Sequence, residues 1–326
     1  MSSGRGRAFV RRSAASCLFV ALLVFVGSGC ASIKRVAINR LGDALAETGT
    51  TFASDDDPEL IAQAVPFSLK LIESLLAESP RHEGMLVAAA RGFTQYGYAF
   101  VQQDADEMEA NDFRRSEAMR QRARRLYLRA RNYGIRALEQ QHRGFQAMLA
   151  ANPKSAASTI GPRGLEALYW TGAAWGAAIA LSKDDPETVA EVPQMEALID
   201  RAYALDPDWN RGALHSFLVT YEMARQGATG KPADRARRHF ERAMALGKGQ
   251  DPAPLIAFAE AVDVQEQNRA EFRELIERAL AIDADAIPEQ RLMTLVMQRR
   301  ARWLLSRIDE LFLLNETDAA DEAAAE

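Results

Sequence analysis

An all-α fold is what this sequence predicts, and three features predict it. Beyond Pro58 the apolar residues recur at helical spacing almost throughout: Leu60, Ala64, Phe67, Leu71 and Leu75 step by four, three, four and four along one helix face. No stretch alternates apolar and polar residues between hairpin turns, as a half-buried strand would. Segments that precede turns also align with one another: IDRAYALDP from Ile199, FERAMALGK from Phe240 and IERALAIDA from Ile276, with IESLLAESP from Ile72 as a looser relative. The strict copies share the order apolar, acid, Arg, Ala, any, Ala, then Leu or Ile. Small residues there let two antiparallel helices approach closely, which is the second-helix signature of a tetratricopeptide-like hairpin. Ala204, Ala245 and Ala281 are separated by 41 and 36 residues, against roughly 34 in the standard repeat. Irregular repeats predict hairpins stacked into a compact, closed bundle or a short solenoid.

The chain begins with a segment of different character. Arg5, Arg7, Arg11 and Arg12 form a positive run without an acid, and Cys17 to Val26 is an apolar run of ten residues. A membrane span needs roughly 20 apolar residues, so this order reads as an export signal over residues 1–29. The signal closes on Gly27-Ser28-Gly29-Cys30, small residues before a cysteine, and resembles the lipobox of bacterial lipoproteins. On that reading Cys30 carries the lipid, residues 30–57 form a tether, and several acyl chains supply a stable anchor. Ala31 in place of Asp favours the outer membrane by the common sorting rule of Gram-negative lipoproteins. The 326 residues carry a formal net charge of −5. Losing residues 1–29 removes four arginines and no acid, which takes it to −9. An exported acidic chain is a poor nucleic-acid binder, because phosphate neutralisation requires a basic surface. Both cysteines, Cys17 and Cys30, lie in the first thirty residues, so no disulfide framework or cysteine metal site supports the remainder.

The helical domain is expected over residues 58–314. At its head FASDDDPELI lacks the alternating ligands and turn glycine of a calcium loop; Asp57 is instead a helix cap, with Pro58 in the first turn. SKDDPETV repeats the device at Asp185 and Pro186. Between Asp112 and Gln141 an apolar stripe of Met119, Ala123, Leu126, Ala130, Tyr133 and Ala137 is bordered by Arg115, Arg122, Arg129 and Arg136, spaced seven apart. Seven residues are nearly two turns, so these guanidinium groups form a line. Either the line attracts an anionic ligand or acidic partner, or its aliphatic stems cover the edge of the core. Phe93, Tyr96, Tyr98 and Phe100 either fill the core or line a pocket. In LYWTGAAWGAAIA, Gly172, Gly176 and Ala180 make a face for close helix contact, while Tyr169, Trp170 and Trp175 supply bulk. Glu166 and Lys183 close a stretch too short to span a membrane, so a buried central helix is expected. Residues 315–326 read as an acidic, solubilising tail.

Little in the sequence points to catalysis. His82, His142, His215 and His239 fall on separate segments, without an HExxH pair or a neighbouring cysteine. There is no GxSxG elbow and no phosphate-binding glycine loop after a strand. The expectation is a protein that is not an enzyme and needs no cofactor and no metal.

One resemblance spans almost the whole chain. FASDDDPELIAQAVPFSLKLIESLL, GFTQYGYAFVQQDAD, LYLRARNYG, LYWTGAAWGAAIALSKDDPE, LDPDWNRGALHSF, QNRAEF and RRARWLL occur in order. Together they resemble the T component (TatT) family of tripartite ATP-independent periplasmic (TRAP) transporters, from about Thr51 to Phe312. The resemblance implies a helical, tetratricopeptide-like lipoprotein of the periplasm that forms a homotrimer. It also implies work beside the transporter's periplasmic substrate-binding protein, and a small organic solute held or passed. The ligand or partner residues expected are Arg115, Arg122, Arg129, Arg136, Phe93, Tyr96, Tyr98, Trp170 and Trp175. A structural adaptor in outer-membrane assembly, with no solute path, is the alternative.

Overall fold

A computed structural model describes residues 38–44 and 49–313. The expected signal peptide over 1–29, Cys30 and the expected acidic tail over 315–326 lie outside the described residues. Every regular element among those described is helical. Two short helical pieces, 38–44 and Gly49–Ala53, precede Pro58. The first lies against the body, where the Asn39 side chain accepts from the Ser79 hydroxyl at 2.8 Å.

Helix α1, Pro58–Glu78, starts where Asp57 accepts from the backbone N–H groups of Glu59 and Leu60, satisfying two donors that the first turn leaves orphaned. It pairs with α2, Glu83–Gly97, which continues through a π-turn at Tyr98–Gln102 into Gln103–Met108. The long α3, Phe113–Gln141, capped by Asp112, lies along α2 and its extension. Two short helices, α4 (Phe145–Ala151) and α5 (Pro153–Ser158), lead to α6, Leu165–Ala180. The three strict repeat segments then end the second helices of successive hairpins. Helix α6 pairs with α7, Val192–Leu205. Next, α8 (Trp209–Ala224) pairs with α9, Pro232–Leu246. Last, α10 (Pro252–Phe258, extended by a π-turn at Ala259–Asp263 and Val264–Glu266) pairs with α11, Arg269–Leu280. Helix α12, Arg291–Ser306, and a final turn α13, Ile308–Leu311, complete the order.

The repeat pattern divides its labour in a way spacing alone did not indicate. Ala202, Ala243 and Ala279, the first alanine of each copy, are buried, and Ala204, Ala245 and Ala281 face solvent. Close helix approach therefore rests on the first alanine alone. A similar shift holds for α1. Its packed face is Ile61, Leu69, Ile72 and Leu76, whereas the stripe through Leu60 and Phe67 points outwards, those two being 55% and 74% exposed. One residue of offset along a helix is about 100° of rotation, so α1 carries two apolar faces and the fold uses one. With a mean hydropathy of 1.5 over an 18-residue window, it is the one helix among the described residues long and apolar enough to cross a membrane.

Two core clusters result. One joins α1–α7 through Leu86, Phe93, Leu138, Phe145, Leu168 and Leu198; the other joins α8–α12 through Phe240, Phe258, Phe272 and Leu304. Between them sits a small patch of Val101, Ala123, Tyr127 and Ala178. Helix α12 returns to the first half of the chain: Arg299 pairs with Asp104 at 2.8 Å, and Arg291 donates to the Ser54 carbonyl at 3.0 Å. The stack is thereby closed.

Glycines set how closely the helices pack. A Cβ on Gly134 of α3 would lie 2.0 Å from the Thr171 hydroxyl oxygen and 3.2 Å from its Cα. On Gly176 it would meet the tip of Phe217 at 3.3 Å and Met195 at an ordinary 3.9 Å. Gly134→Ala is expected to lower stability by about 1–3 kcal/mol through overpacking. Gly176→Ala is expected to be near neutral, because the helix propensity gained, up to about 1 kcal/mol, offsets a small shift. Thermal melts of the two variants check the contrast.

Candidate functional site

Helix α3 carries Arg114, Arg115, Arg120, Arg122, Arg124, Arg125, Arg129, Arg131 and Arg136 against only Glu117 and Glu139. Those turned towards neighbouring helices meet carboxylates. Arg120 reaches Asp106 (3.1 Å) and Glu109 (2.8 Å), Arg124 reaches Asp185 (2.9 Å), and Arg131 reaches Glu191 (2.8 Å). The line expected from spacing lies on the side that borders α1 and α2, over a row of aromatic rings. Arg122 stands 5.9 Å from the Tyr96 centroid, Arg129 5.2 Å from Phe93 and Arg136 5.1 Å from Tyr133. Phe93 and Tyr133 stack at 6.0 Å. Glu73 of α1 ties the row together, accepting from Arg129 (2.9 Å), Tyr133 (2.7 Å) and Lys70 (2.6 Å). Burial opposes the Glu73 charge, yet these hydrogen bonds and cations hold its pKa below the ordinary carboxylate value. Arg115 stands apart, exposed and without a side-chain ion pair among the described residues.

The remaining expected residues separate. Trp175 is buried; its indole N–H donates to Glu191 at 2.7 Å and Arg131 covers its ring at 4.9 Å, so it braces α6 against the turn before α7. Trp170 packs edge-on against Tyr169, which in turn meets Trp209. Tyr98 lies on the opposite side from Tyr96, because two residues along a helix are about 200° of rotation. Its hydroxyl reaches Met297 of α12 at 3.8 Å, and burial pushes its pKa up to about 12.

Tyr98 leads to a centre that sequence reasoning missed. Arg300 of α12, nearly buried, pairs with Asp106 at 2.8 Å and also with Glu260, which belongs to the second π-turn. Burial works against the Arg300 charge, and Glu260 together with Asp106 more than restores it. Beside it Arg299 holds Glu107 at 2.5 Å. Gln103 is fully buried here without a well-formed side-chain hydrogen bond, near enough to Tyr98 to influence its hydroxyl. Two interrupted helices from the two core clusters thus meet across one guanidinium group. No motif announces this, since π-turns and a return over 194 residues are products of tertiary packing.

Two further groupings correct the impression of scattered polar residues. His215 and His239 are not isolated: their Nδ1 atoms approach to 2.9 Å, with Tyr203 edge-on to both rings. Burial and then the neighbouring His215 lower the His239 pKa to about 4. Asp263 is buried beside Glu271, which Arg237 grips at 2.5 and 2.7 Å. Burial, then the Glu271 charge, raises the Asp263 pKa to about 8. No cluster of His, Cys, Asp or Glu suited to a metal ion occurs among the described residues. A cleft of about 520 Å³ opens between two repeat ends, lined by Met244, Leu255, Arg278 and Ile282 among others. A smaller one of about 300 Å³ is lined by Lys154, Ala157, Asp200 and Arg201. Neither is lined by the arginine row.

Fold and site together define an irregular helical-repeat scaffold with a basic helix on an acidic chain. Comparison with known proteins narrows this: the profile described as TRAP transporter T-component matches residues 54–312. A protein of Treponema pallidum (strain Nichols), described as uncharacterized, is 30% identical over 315 residues, covering 91% of this chain and 97% of the relative. The chain belongs to the TRAP transporter T-component family and so has an accessory role in a TRAP transporter.

The buried charges set two measurable outcomes. Arg300→Ala leaves Glu260 without this partner and Asp106 with Arg120 alone, and is expected to cost about 1.5–3 kcal/mol, whereas Arg122→Ala, at an exposed site, costs less than about 1 kcal/mol; chemical denaturation measures both. The pH dependence has a definite sign. Folded Asp263 holds its proton up to about pH 8, while the unfolded chain releases it near 4. The native state therefore binds more protons across that window, and this contribution is lost as pH rises through 8. For His239 the unfolded chain protonates first, so stability falls as pH drops from about 6.5 to 4. Between about pH 6.5 and 8 the melting temperature should decline less steeply in Asp263→Asn than in the parent protein.

Proposed function

We propose that this chain is the lipid-anchored periplasmic subunit of its TRAP transporter, attached through Cys30 to the outer membrane. As a homotrimer it docks the transporter's periplasmic substrate-binding protein and holds a small organic solute in transit. Family membership supplies the transporter. The observation that carries the docking part is the outer face of α3, which presents arginines without carboxylate partners on a chain of net negative charge. Such a face steers an acidic protein surface into register, with an association rate that depends on salt.

The outward stripe of α1 supports self-association. Leu60, Ala64, Phe67 and Leu71 alternate four and three apart, the spacing at which one helix packs along another copy of itself. The cleft of about 520 Å³ is within the range of small-molecule sites, and Arg278 at its rim suits a carboxylate. No reactive group is needed for any of these roles.

Mass spectrometry of the mature chain should find an acylated amino-terminal cysteine. Co-purification with the transporter's own substrate-binding protein should yield a complex that weakens at least tenfold in Arg114→Glu/Arg125→Glu and in high salt. An affinity indifferent to both changes rules out docking through α3. Light scattering of Phe67→Arg should show the trimer falling to monomers without loss of helicity; an unchanged mass removes α1 from the interface.

A further inference from the structure

Helix α8 opens with a stretch of left-handed backbone. Asn210, Arg211 and Gly212 have φ of 47°, 58° and 94°, and the first two carry side chains, for which this conformation is strained. Strained backbone persists where its surroundings over-determine it, and it gathers at ligand clamps. Gly212 sits close against α9, where a Cβ would lie 3.2 Å from the Ala243 Cα. That approach accounts for the glycine and not for the two residues before it, which set Trp209 and Arg211 at a corner between α6, α8 and the turn that precedes α10.

The Tyr169 ring of α6 meets the Trp209 ring at 5.0 Å, and both residues are half-buried. The Tyr169 hydroxyl and the Trp209 indole N–H make no hydrogen bond among the described residues. Arg211 donates to the Gly247 carbonyl at 3.2 Å, and its Nε has no partner. Position 247 also abuts Asp251, whose Cβ would lie 3.2 Å from a Cβ there. One Asp251 oxygen accepts from the Ala253 N–H at 2.9 Å, and the other has no partner among the described residues. Burial raises the Asp251 pKa against the pull of the Ala253 N–H and the Arg211 charge. Burial and then the Asp251 charge raise the Tyr169 pKa. Arg211 and Asp251 are thus near enough to act on one another, yet no direct ion pair joins them. Gly249 and Gln250 of the same turn line the cleft of about 520 Å³, so the corner adjoins it.

We propose that this corner binds a small zwitterion, an L-α-amino acid with an uncharged side chain, between Arg211 and Asp251. The carboxylate takes the Arg211 guanidinium and the Tyr169 hydroxyl; the ammonium takes the free Asp251 oxygen and the face of Trp209. Desolvated charges require compensation. A ligand of one sign leaves either Arg211 or Asp251 opposed by a like charge, whereas a ligand with both signs a single carbon apart compensates the two together. The aromatic rings cover an uncharged side chain. This deepens the solute-holding part of the function proposed above by naming the solute class, and it is independent of partner docking and of the lipid anchor.

The purified full chain is titrated with each L-amino acid of uncharged side chain, and binding is read by calorimetry and by tryptophan fluorescence. At least one is expected to bind at a single saturable site. Its analogues lacking the amine or the carboxylate, which for L-leucine are isocaproate and isoamylamine, should bind at least tenfold more weakly. Arg211→Gln and Asp251→Asn should each weaken binding at least tenfold. Tyr169→Phe deletes a hydroxyl that the described fold does not use, so it should weaken binding several-fold at an unchanged melting temperature. Arg278→Ala, in the cleft, should leave binding unchanged. Absence of binding across the set, equal binding of the analogue without an amine, or binding indifferent to Arg211→Gln, Asp251→Asn and Tyr169→Phe overturns the proposal. Binding lost in Arg278→Ala and kept in those three variants places the solute in the cleft, which overturns the corner and leaves the solute-holding reading standing.

Discussion

The whole stack closes on one buried guanidinium group. Arg300 is contributed by the last long helix, Asp106 by the extension of α2 and Glu260 by the π-turn of α10. A charge in that position is tolerable only while both carboxylates are held against it, since an unpaired buried ion costs several kcal/mol. The junction therefore ties the two core clusters together through charge as well as through apolar contact. Tyr98 and Gln103, buried beside it, are polar groups that the fold keeps in the seam between its halves.

Around that junction charge is sorted by depth. The arginines of α3 that face inwards are neutralised by acids on neighbouring elements, one by one. Its outer arginines are not, and the acidity of the chain as a whole is carried elsewhere. A surface of this kind carries unbalanced positive charge, which attracts acidic groups. The apolar face of α1 is left over in the same manner: one stripe satisfies the chain's own core and the other remains outside. Both surplus faces belong to the first half of the chain, where the transporter-family pattern begins, while the second half supplies regular hairpins and the larger cleft.

Much of this was legible in the residues. Helical period, the Asp-Pro punctuation at Asp57 and Asp185, and the repeated Arg-Ala segments are local features, written within a turn or two, and each appears in the structure where the sequence places it. The arginine line was legible as well, because residues seven apart on a helix share a side; that Phe93 and Tyr96 of α2 lie under it was not, because that depends on how α2 packs on α3. Which stripe of α1 packs was not. Two apolar stripes on one helix are equally good by period, and only the positions of α2 and α3 choose between them.

The paired histidines show the same boundary. His215 and His239 are ordinary residues on their own helices and become a contact only when α8 packs on α9. The Arg300 centre is further still from view, since its members are separated by up to 194 residues and two of its helices are interrupted by π-turns. Sequence by itself determined the helical class, the caps at Asp57 and Asp185 and the repeat, because each rests on interactions between near neighbours along the chain, and it pointed to the family through an ordered set of segments. Tertiary structure alone decided which faces are spent on the core and which stay exposed, because that depends on distant segments competing to cover the same apolar and charged surface.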